Sequence, residues 1–255
     1  MATLFGHGYI GTAIAKGLVE AGMNLYWYHH ADVRHVILDK VIIDCAGFVG
    51  HPNMDACEEH KKECIEGNII WPIKLEERYR GVPIIHISSG GVYTGYKDGG
   101  WTEEDKPNFK DSFYSLTKIL EQENLNLKNN YLLRIRSAFE KEDDPRNYLT
   151  KLKTYSRLID TRNSLSSLVD IVAVVLFFVR ELPEPGIYNV CNSGSITTKE
   201  IIEMFGIKKE WFSMEEFNAH VKAPRSFCTL NTDKLSSIFP IRDVTEALRE
   251  CTSRK

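Results

Sequence analysis

Short apolar runs alternate with amphipathic stretches along the first half of the chain. Apolar runs at residues 24–28, 40–47, 82–87 and 131–136 have the length of buried strands. The stretches between and before them place apolar residues at helical spacing, at residues 12–19, 54–68, 72–79 and 114–126. Strands that alternate with helices predict an α/β fold with a doubly wound parallel sheet. About ten residues separate the second and third strands, so we expect a shortened second crossover.

Beyond residue 140 the pattern changes to helices with short strands between them. Helices are predicted at residues 145–156, 168–182, 197–204 and 214–219, and strands at 158–160 and 186–190. We expect residues 141–255 mainly to form a small substrate-binding lobe over the mouth of the sheet. This lobe would interleave with residues 1–140 in one compact unit.

A glycine motif follows the first predicted strand and opens the first predicted helix. Gly6, Gly8 and Gly11 have the G-x-G-x-x-G spacing, with Tyr9 and Ile10 inside the motif. In this context Gly6 allows a tight turn, Gly8 lets a pyrophosphate approach the backbone, and Gly11 lets the helix pack on the sheet. We therefore predict a Rossmann-type dinucleotide-binding domain at residues 1–140.

Tyr114 and Lys118 lie four residues apart in a predicted helix, on one face. An ammonium beside a phenol lowers the phenol's pKa from its usual value of about 10, which suits proton transfer to a carbonyl oxygen. Chance occurrence of the pair in a helix is the alternative. Ser89 favours the chemical interpretation, because it ends a predicted strand where ligands bind in open α/β sheets.

Composition narrows the classes of function. The chain has 255 residues, a net charge of −3 and a pI near 6.3, which gives no basic field for nucleic acid or an acidic membrane. The longest strongly apolar run, residues 172–179, is too short to span a bilayer, and the first residues do not have the pattern of a signal peptide. We expect a soluble cytoplasmic protein with free thiols and no bound metal.

Four longer strings resemble the extended short-chain dehydrogenase/reductase family, whose members act on nucleotide-linked sugars. Within it, the chain is similar to epimerase/reductase domains that complete UDP-L-rhamnose synthesis, and to dTDP-4-dehydrorhamnose reductases. The strings are residues 50–61, 103–115, 145–151 and 223–226. The resemblance covers nearly the whole chain.

The resemblance implies roles for individual residues. Tyr114 would be the general acid, Lys118 its electrostatic partner and a ligand of the nicotinamide ribose, and Ser89 the hydroxyl that binds the sugar carbonyl. Asn68 matches an asparagine near the cofactor, with a helix-end cap as the alternative. Further cofactor contacts are expected at Ala46 and Gly47, and further substrate contacts at Gly90, Gly91, Asn147, Lys151 and Arg225, where Arg225 would meet the diphosphate.

Gly91 is the main departure from the family pattern. Bifunctional relatives carry a cysteine at this position, which exchanges a proton during epimerisation together with a basic residue matched here by Lys151. Glycine cannot transfer a proton, and epimerisation at C3 and C5 needs one group to remove the proton and another to return it. Cys45 and His86 could substitute, although we expect both to pack within the sheet.

The second strand suggests which cofactor is bound. An acidic residue at the end of this strand favours NAD, and a basic one accommodates the 2′-phosphate of NADP. His29 and Arg34 are basic candidates, while Asp32 is an acidic residue that could fold back onto the ribose. We predict NADPH, with NADH as the alternative.

The leading hypothesis is a 4-ketoreductase of a nucleotide-linked 4-keto-6-deoxyhexose. One alternative is a bifunctional 3,5-epimerase/4-reductase with a substitute for the missing cysteine. Another is a non-catalytic NADP(H)-binding regulator, against which the intact Ser89, Tyr114 and Lys118 count. The nucleotide, UDP or dTDP, and the substituent at C2, hydroxyl or acetamido, stay open. The resemblance also implies a homodimer.

Overall fold

A computed structural model describes residues 1–29 and 40–252 of the chain. The strands in this part are β1 Ala2–Phe5, β2 Leu25–Tyr28, β3 Ile42–Asp44, β4 Ile84–Ser89, β5 Tyr131–Ile135, β6 Arg157–Ile159, β7 Arg162–Asn163, β8 Gly186–Asn189, β9 Ile196–Thr197 and β10 Glu210–Phe212. The α-helices are α1 Tyr9–Glu20, α2 Ala56–Glu59, α3 Lys61–Ile65, α4 Trp71–Arg78, α5 Phe113–Asn124, α6 Tyr148–Thr154, α7 Leu168–Glu181, α8 Thr198–Phe205, α9 Met214–His220, α10 Asp233–Ser236 and α11 Val244–Thr252. None of the described helices has both the length and the apolar character needed to cross a bilayer.

Six strands form one parallel sheet in the order β2-β1-β3-β4-β5-β8. This order confirms the predicted α/β class with a parallel, doubly wound sheet. The chain reverses its direction of winding between β1 and β3, so the loops after these two strands diverge and leave a crevice at their carboxyl ends. The predicted short crossover between β2 and β3 falls mostly on residues 30–39, which lie outside the described residues.

Helices cover both faces of the sheet, because its central strands are apolar on both sides. On one face α1 and α7 pack together over a core that includes Ile14, Leu18 and Val174. On the other face α4 buries Leu75 against Phe5 of β1. The later half of the chain therefore contributes β8 to the central sheet and α7 to the helices that cover it. The two halves of the chain interleave through these two elements.

A second core lies in the later half of the chain. It is formed by α6, α8 and α11 with the short strand β6, and its buried members include Leu152, Leu158, Ile202 and Leu248. Two small sheets, β10-β6 and β7-β9, complete this region. We call this region the lobe.

The segment from residue 54 to residue 79 differs from its prediction. We predicted two helices separated near residue 70, whereas the structure interrupts the helix at His60 and then continues it through a π-helical turn, Glu66–Ile70, into α4. His60 departs from helical geometry with φ −109° and ψ 52°. Pro72 occupies the first turn of α4, as the predicted helix from residue 72 implies, and a missing N–H costs little there.

A buried charged cluster lies below the carboxyl edge of the sheet. His86 of β4 is fully buried, with Nδ1 3.1 Å from Asp44 Oδ2 and Nε2 3.4 Å from Glu76 Oε1. Burial alone would lower the pKa of His86, but the hydrogen bond to Asp44 and the nearby Glu76 carboxylate outweigh it and raise the pKa to about 9. The imidazole is therefore charged at neutral pH.

This cluster predicts a loss of stability at alkaline pH. Because the folded-state pKa of His86 is raised above 6.5, its contribution is fully present below about pH 6.5 and is lost as the pH rises through 9. Between about pH 6 and pH 10, we expect the unfolding free energy of the wild type to fall by about 3 kcal/mol more than that of His86→Gln. Urea denaturation of both proteins measures this difference, and equal pH dependence would contradict it.

Candidate active site

The crevice between β1 and β3 opens into a pocket of about 520 Å³. The pocket is lined by the loop after β1, the loop after β3 and the π-helical segment, through Gly6, His7, Gly8, His29, Cys45, Ala46, Gly47, Phe48, Glu63, Glu66, Gly67, Ile70, Trp71 and Lys74. It therefore lies at the carboxyl ends of the strands, where α/β proteins of this kind bind ligands.

The glycine motif forms one wall of this pocket. Gly6 has φ +105°, and a Cβ placed on it would lie 2.6 Å from the carbonyl carbon of Cys45. A Cβ on Gly11 would lie 2.4 Å from Gly6 O, so only glycine allows this approach. A Cβ on Gly8 would meet nothing within 4 Å. Tyr9 and Ile10 open α1, whose first N–H groups lack carbonyl partners within the helix and so suit an anion.

Two histidines lie together beside the glycine motif. His29 follows β2, and its Nε2 lies 2.7 Å from Nδ1 of His7. The indole of Trp27 donates to Gly6 O at 2.9 Å and contacts the His7 ring edge-on. His7 was not singled out from the sequence, because its partner is 22 residues away. Arg34, the other predicted phosphate contact, lies outside the described residues.

Asn68 holds the loop after β3 in place through hydrogen bonds and does not cap a helix end. Its Oδ1 accepts from Phe48 N–H at 2.8 Å, and its Nδ2 donates to Phe48 O at 2.9 Å and to Thr117 Oγ1 at 3.0 Å. A Cβ on Gly47 would lie 3.2 Å from Asn68 Oδ1 and 3.4 Å from Lys118 Nζ. Asn68 thus ties α5, which carries Lys118, to the wall of the pocket.

Tyr114 and Ser89 lie near each other at the other end of the crevice. Ser112 caps α5 by accepting from Ser115 N–H at 3.1 Å, which places Tyr114 in the first turn of the helix. Ser89 ends β4, and its hydroxyl lies close enough to Tyr114 to lower the pKa of the phenol. Lys118, one turn further along α5, is buried and interacts electrostatically with Tyr114. The three predicted catalytic side chains are therefore brought together.

The direction of the Tyr114 pKa shift is opposite to our prediction. Burial raises the pKa of Tyr114, and the opposing effects of the Lys118 charge and the Ser89 hydrogen bond do not cancel that rise. The prediction was wrong because it counted the neighbouring charge and not the desolvation. Tyr114 is therefore protonated at neutral pH, as a proton donor must be.

A buried carboxylate, which we did not predict, holds Lys118. Glu121 Oε1 accepts from Lys118 Nζ at 2.9 Å, and its Oε2 accepts from Ser88 Oγ at 2.5 Å. Burial alone would lower the pKa of Lys118, but the Glu121 charge outweighs it and raises the pKa. Lys118 is therefore an ammonium. The (i, i+3) spacing of Lys118 and Glu121 was visible in the sequence and indicates such a pair.

The turn after β4 has two glycines in different surroundings. A Cβ on Gly90 would lie 2.5 Å from Leu230 Cδ1 and 3.0 Å from two carbons of Arg136, so Gly90 is packed between them. Gly91 N–H donates to Ser89 Oγ at 3.0 Å. Gly90 thus has a packing role, and the Gly91 backbone orients the Ser89 hydroxyl.

Three predicted substrate residues lie in or beside the lobe. Arg225 pairs with Asp55 at 2.7 Å. Burial and the nearby Arg225 charge lower the pKa of Lys151, so the two cations are close together. Asn147 is fully buried and caps α6, accepting from Leu149 N–H while it donates to Glu140 O and Glu142 O. These bonds use the Asn147 amide within the protein, so the predicted substrate contact is not supported. The prediction failed because the sequence alone did not reveal this helix cap.

The surroundings of His86 and Cys45 do not favour either as a substitute for the missing cysteine. His86 is enclosed by Asp44 and Glu76, and burial raises the pKa of Cys45 well above its usual value. Cys45 lies in the pocket beside the glycine motif, away from Ser89 along the crevice. Within residues 1–29 and 40–252, no cluster of three or more His, Cys, Asp or Glu side chains could hold a metal ion.

Comparison with known proteins identifies the family. The RmlD substrate-binding domain profile matches residues 5–255. A bifunctional dTDP-4-dehydrorhamnose 3,5-epimerase/dTDP-4-dehydrorhamnose reductase of Arabidopsis thaliana is 32% identical, over 94% of this chain and 88% of that protein. The crystal structure of a UDP-rhamnose synthase of Acanthamoeba polyphaga mimivirus superposes with a TM-score of 0.90 and 26% identity, over 99% of each chain.

A more distant solved structure shares the fold. The dTDP-4-dehydrorhamnose reductase of Bacillus anthracis, solved in complex with NADP, superposes with a TM-score of 0.79 and 18% identity, over 98% of this chain and 97% of that one. The family match spans almost the whole chain, as the resemblance to the extended short-chain dehydrogenases and reductases predicted. The chain belongs to the RmlD substrate-binding domain family.

Proposed function

We propose that this protein is an NADPH-dependent 4-ketoreductase of a nucleotide-linked 4-keto-6-deoxyhexose. The observation that carries the proposal is the proximity of Ser89, the protonated Tyr114 and the Lys118 ammonium at the end of the crevice. The relatives support the substrate class, because their names include dTDP-4-dehydrorhamnose reductase and UDP-rhamnose synthase. The nucleotide is UDP or dTDP.

The pocket residues suit a dinucleotide. The open space in front of Gly8 and the unpartnered N–H groups at the start of α1 fit a pyrophosphate. His7 and His29 would lie near the adenosine ribose, where a basic group accommodates a 2′-phosphate. When bound, NADPH supplies a hydride. The complex of the Bacillus anthracis relative with NADP supports this choice, and NADH is the alternative.

The side chains of this protein manage the proton that accompanies the hydride. Ser89 and Tyr114 would hold the C4 carbonyl oxygen, and the Tyr114 proton would pass to that oxygen as C4 is reduced. The charge left on the phenolate lies beside Lys118, whose ammonium stabilises it. Glu121 keeps Lys118 charged and in place. Arg225, on the lobe side, would meet the anionic diphosphate, and Lys151 lies close to it.

The direct test is consumption of NADPH or NADH on mixing with UDP- and dTDP-4-keto-6-deoxyhexoses. We expect steady nicotinamide oxidation, faster with NADPH, and a 4-hydroxy product. A fluorescence shift on binding without oxidation, with either nucleotide, would favour the non-catalytic regulator. A homodimer and a cytoplasmic location stay predictions, which sedimentation and fractionation would test.

Epimerisation at C3 and C5 is the second candidate activity, and Lys151 is the observation in its favour. Its lowered pKa would suit a base, but Gly91 provides no acid to complete the pair. We expect the wild-type protein to incorporate little solvent deuterium at C3 or C5. A Cβ at residue 91 would lie 3.1 Å from Ser89 Oγ and 3.5 Å from Arg136 Nη1, so a small side chain fits if the Ser89 hydroxyl shifts by a few tenths of an ångström.

Gly91→Cys is therefore expected to increase deuterium incorporation at C3 or C5 at least about tenfold at saturating keto-sugar, where weaker sugar binding no longer limits the rate, since it supplies the missing acid. NMR of the keto-sugar in D₂O without nicotinamide measures this exchange separately from reduction. Gly91→Ser has a similar volume without the thiol and serves as the control. Rapid exchange by the wild type, or equal exchange by both variants, would contradict the two-group mechanism.

A further inference from the structure

The space in front of Gly91 is bounded by two polar atoms. An ideal Cβ on Gly91 would have only Ser89 Oγ, at 3.1 Å, and Arg136 Nη1, at 3.5 Å, as neighbours within 4 Å among the described residues outside the adjoining ones. Gly90 differs, because a Cβ there would clash with Leu230. Gly91 itself is buried. The turn is thus packed against apolar atoms at Gly90, whereas the nearest atoms in the side-chain direction of Gly91 are polar.

Arg136 is the unusual member of this arrangement. It follows β5, is only 7% exposed, and directs its guanidinium to the Ser89–Gly91 turn. Its hydrogen bonds go to neutral acceptors: Nη1 donates to Ser226 Oγ at 2.9 Å, and Nη2 donates to Asn163 Oδ1 at 2.7 Å and to Ser226 O at 3.1 Å. These partners do not neutralise the charge. By contrast, the partly exposed Arg225 pairs with Asp55.

Arg136 also has unused hydrogen-bonding capacity. Its Nε is buried without a hydrogen-bond partner among the described residues. Nη1 carries two N–H groups, and the bond to Ser226 uses one of them. Burying such a cation is costly unless it is paired or bound to an acceptor. An oxygen in front of Gly91 could accept from the second N–H group of Nη1.

Substrate chemistry identifies that oxygen, and this step rests on the function proposed above. Ser89 Oγ and Arg136 Nη1 both lie near the side-chain direction of Gly91. If Ser89 binds the C4 oxygen, Arg136 would therefore face an oxygen on a ring carbon next to C4. In a 4-keto-6-deoxyhexose, C5 carries a methyl group and the ring oxygen. C3 is therefore the neighbouring carbon that carries a free hydroxyl. We propose that the space between Gly91, Ser89 and Arg136 binds the C3 hydroxyl and makes the enzyme specific for sugars that carry it.

Two variants on opposite sides of this space test the proposal. Gly91→Ala fills the space with a methyl group, and Arg136→Met keeps the packing under Gly90 but removes the donor. Each variant should lower kcat/KM for the 3-hydroxy substrate at least about tenfold, because it removes a hydrogen bond to a charged group. The kcat/KM of the double variant should be no lower than that of the less active single variant, because both changes remove the same interaction. The KM for NADPH should not change.

The 3-deoxy analogue of the same keto-sugar is the matched control. The kcat/KM of the wild type should be at least about tenfold lower for this analogue than for the 3-hydroxy substrate. On the analogue, the kcat/KM of each variant should differ from that of the wild type by less than about threefold. Equal losses on both substrates, or losses that multiply in the double variant, would overturn the proposal and leave Arg136 a packing residue. Arg136→Lys should recover part of the activity on the 3-hydroxy substrate alone, and a failure to do so would also count against it.

This experiment separates the inference from the proposed function. Oxidation of NADPH by the wild type with the 3-hydroxy substrate supports the reductase, whatever the variants do. An active wild type with unselective variants refutes the C3 site alone. A wild type that reduces neither sugar refutes both. NADPH binding, followed by fluorescence, verifies that each variant is folded.

Discussion

Tyr114→Phe is expected to lower kcat for reduction of the keto-sugar about 10³-fold. The phenol is the proton donor assigned to the C4 oxygen, and general acids contribute roughly 10²- to 10⁴-fold. Because burial raises the pKa of Tyr114, the wild-type side chain is protonated across the neutral range. Stopped-flow measurement of NADPH oxidation in a single turnover gives the effect on the chemical step.

The accompanying results distinguish lost chemistry from lost structure. Tyr114→Phe should bind NADPH with unchanged affinity, because the phenol is assigned to the sugar and does not line the pocket beside the glycine motif. Tyr155→Phe is the control for removing a phenol oxygen, since Tyr155 is 46% exposed, and its activity should match the wild type. A Tyr114→Phe enzyme within a few fold of wild type would mean that another group protonates the product.

Lys118→Met is expected to lower kcat about 10²-fold and also to weaken NADPH binding. Removing the ammonium takes away the charge that opposes the effect of burial on Tyr114, so the pKa of Tyr114 would rise further and the phenol would become a weaker acid. The resemblance also makes Lys118 a ligand of the nicotinamide ribose. Steady-state kinetics should show both a lower kcat and a higher KM for NADPH.

A double variant controls for stability. Lys118→Met leaves the Glu121 carboxylate buried without its cation, which costs about 3–5 kcal/mol. Lys118→Met combined with Glu121→Gln removes that charge, so we expect recovery of most of the unfolding free energy without recovery of activity. If activity returned together with stability, Lys118 would be a structural residue. Lys16→Met, on the exposed face of α1, should behave as wild type.

Local motifs predicted the parts of the site that depend on short stretches of chain. The glycine spacing places Gly6 in a left-handed conformation and Gly11 against Gly6 O, both of which follow from one strand-turn-helix unit. Four-residue spacing likewise places Tyr114 and Lys118 on one face of α5. Strand alternation predicted the parallel sheet, because buried parallel strands are apolar on both faces.

Tertiary contacts were beyond such reasoning. Arg136 reaches Gly91 from another strand, and His7 meets His29 across 22 positions, so neither pair has a signal in local spacing. The raised pKa of Tyr114 depends on desolvation by the assembled core. Asn147 resembled a substrate ligand in sequence, yet its amide is used in capping α6. The identity of the residue did not indicate whether it would bind the substrate or cap the helix.

The fate of the cofactor's hydrogen decides whether this protein is a 4-ketoreductase. The protein would be mixed with NADPH deuterated at both C4 positions of the nicotinamide and a nucleotide-linked 4-keto-6-deoxyhexose, and the product would be followed by NMR. We expect one deuterium at C4 of the sugar and a new hydroxyl there. A product without deuterium at C4, or with deuterium at another carbon, would contradict the proposed reduction.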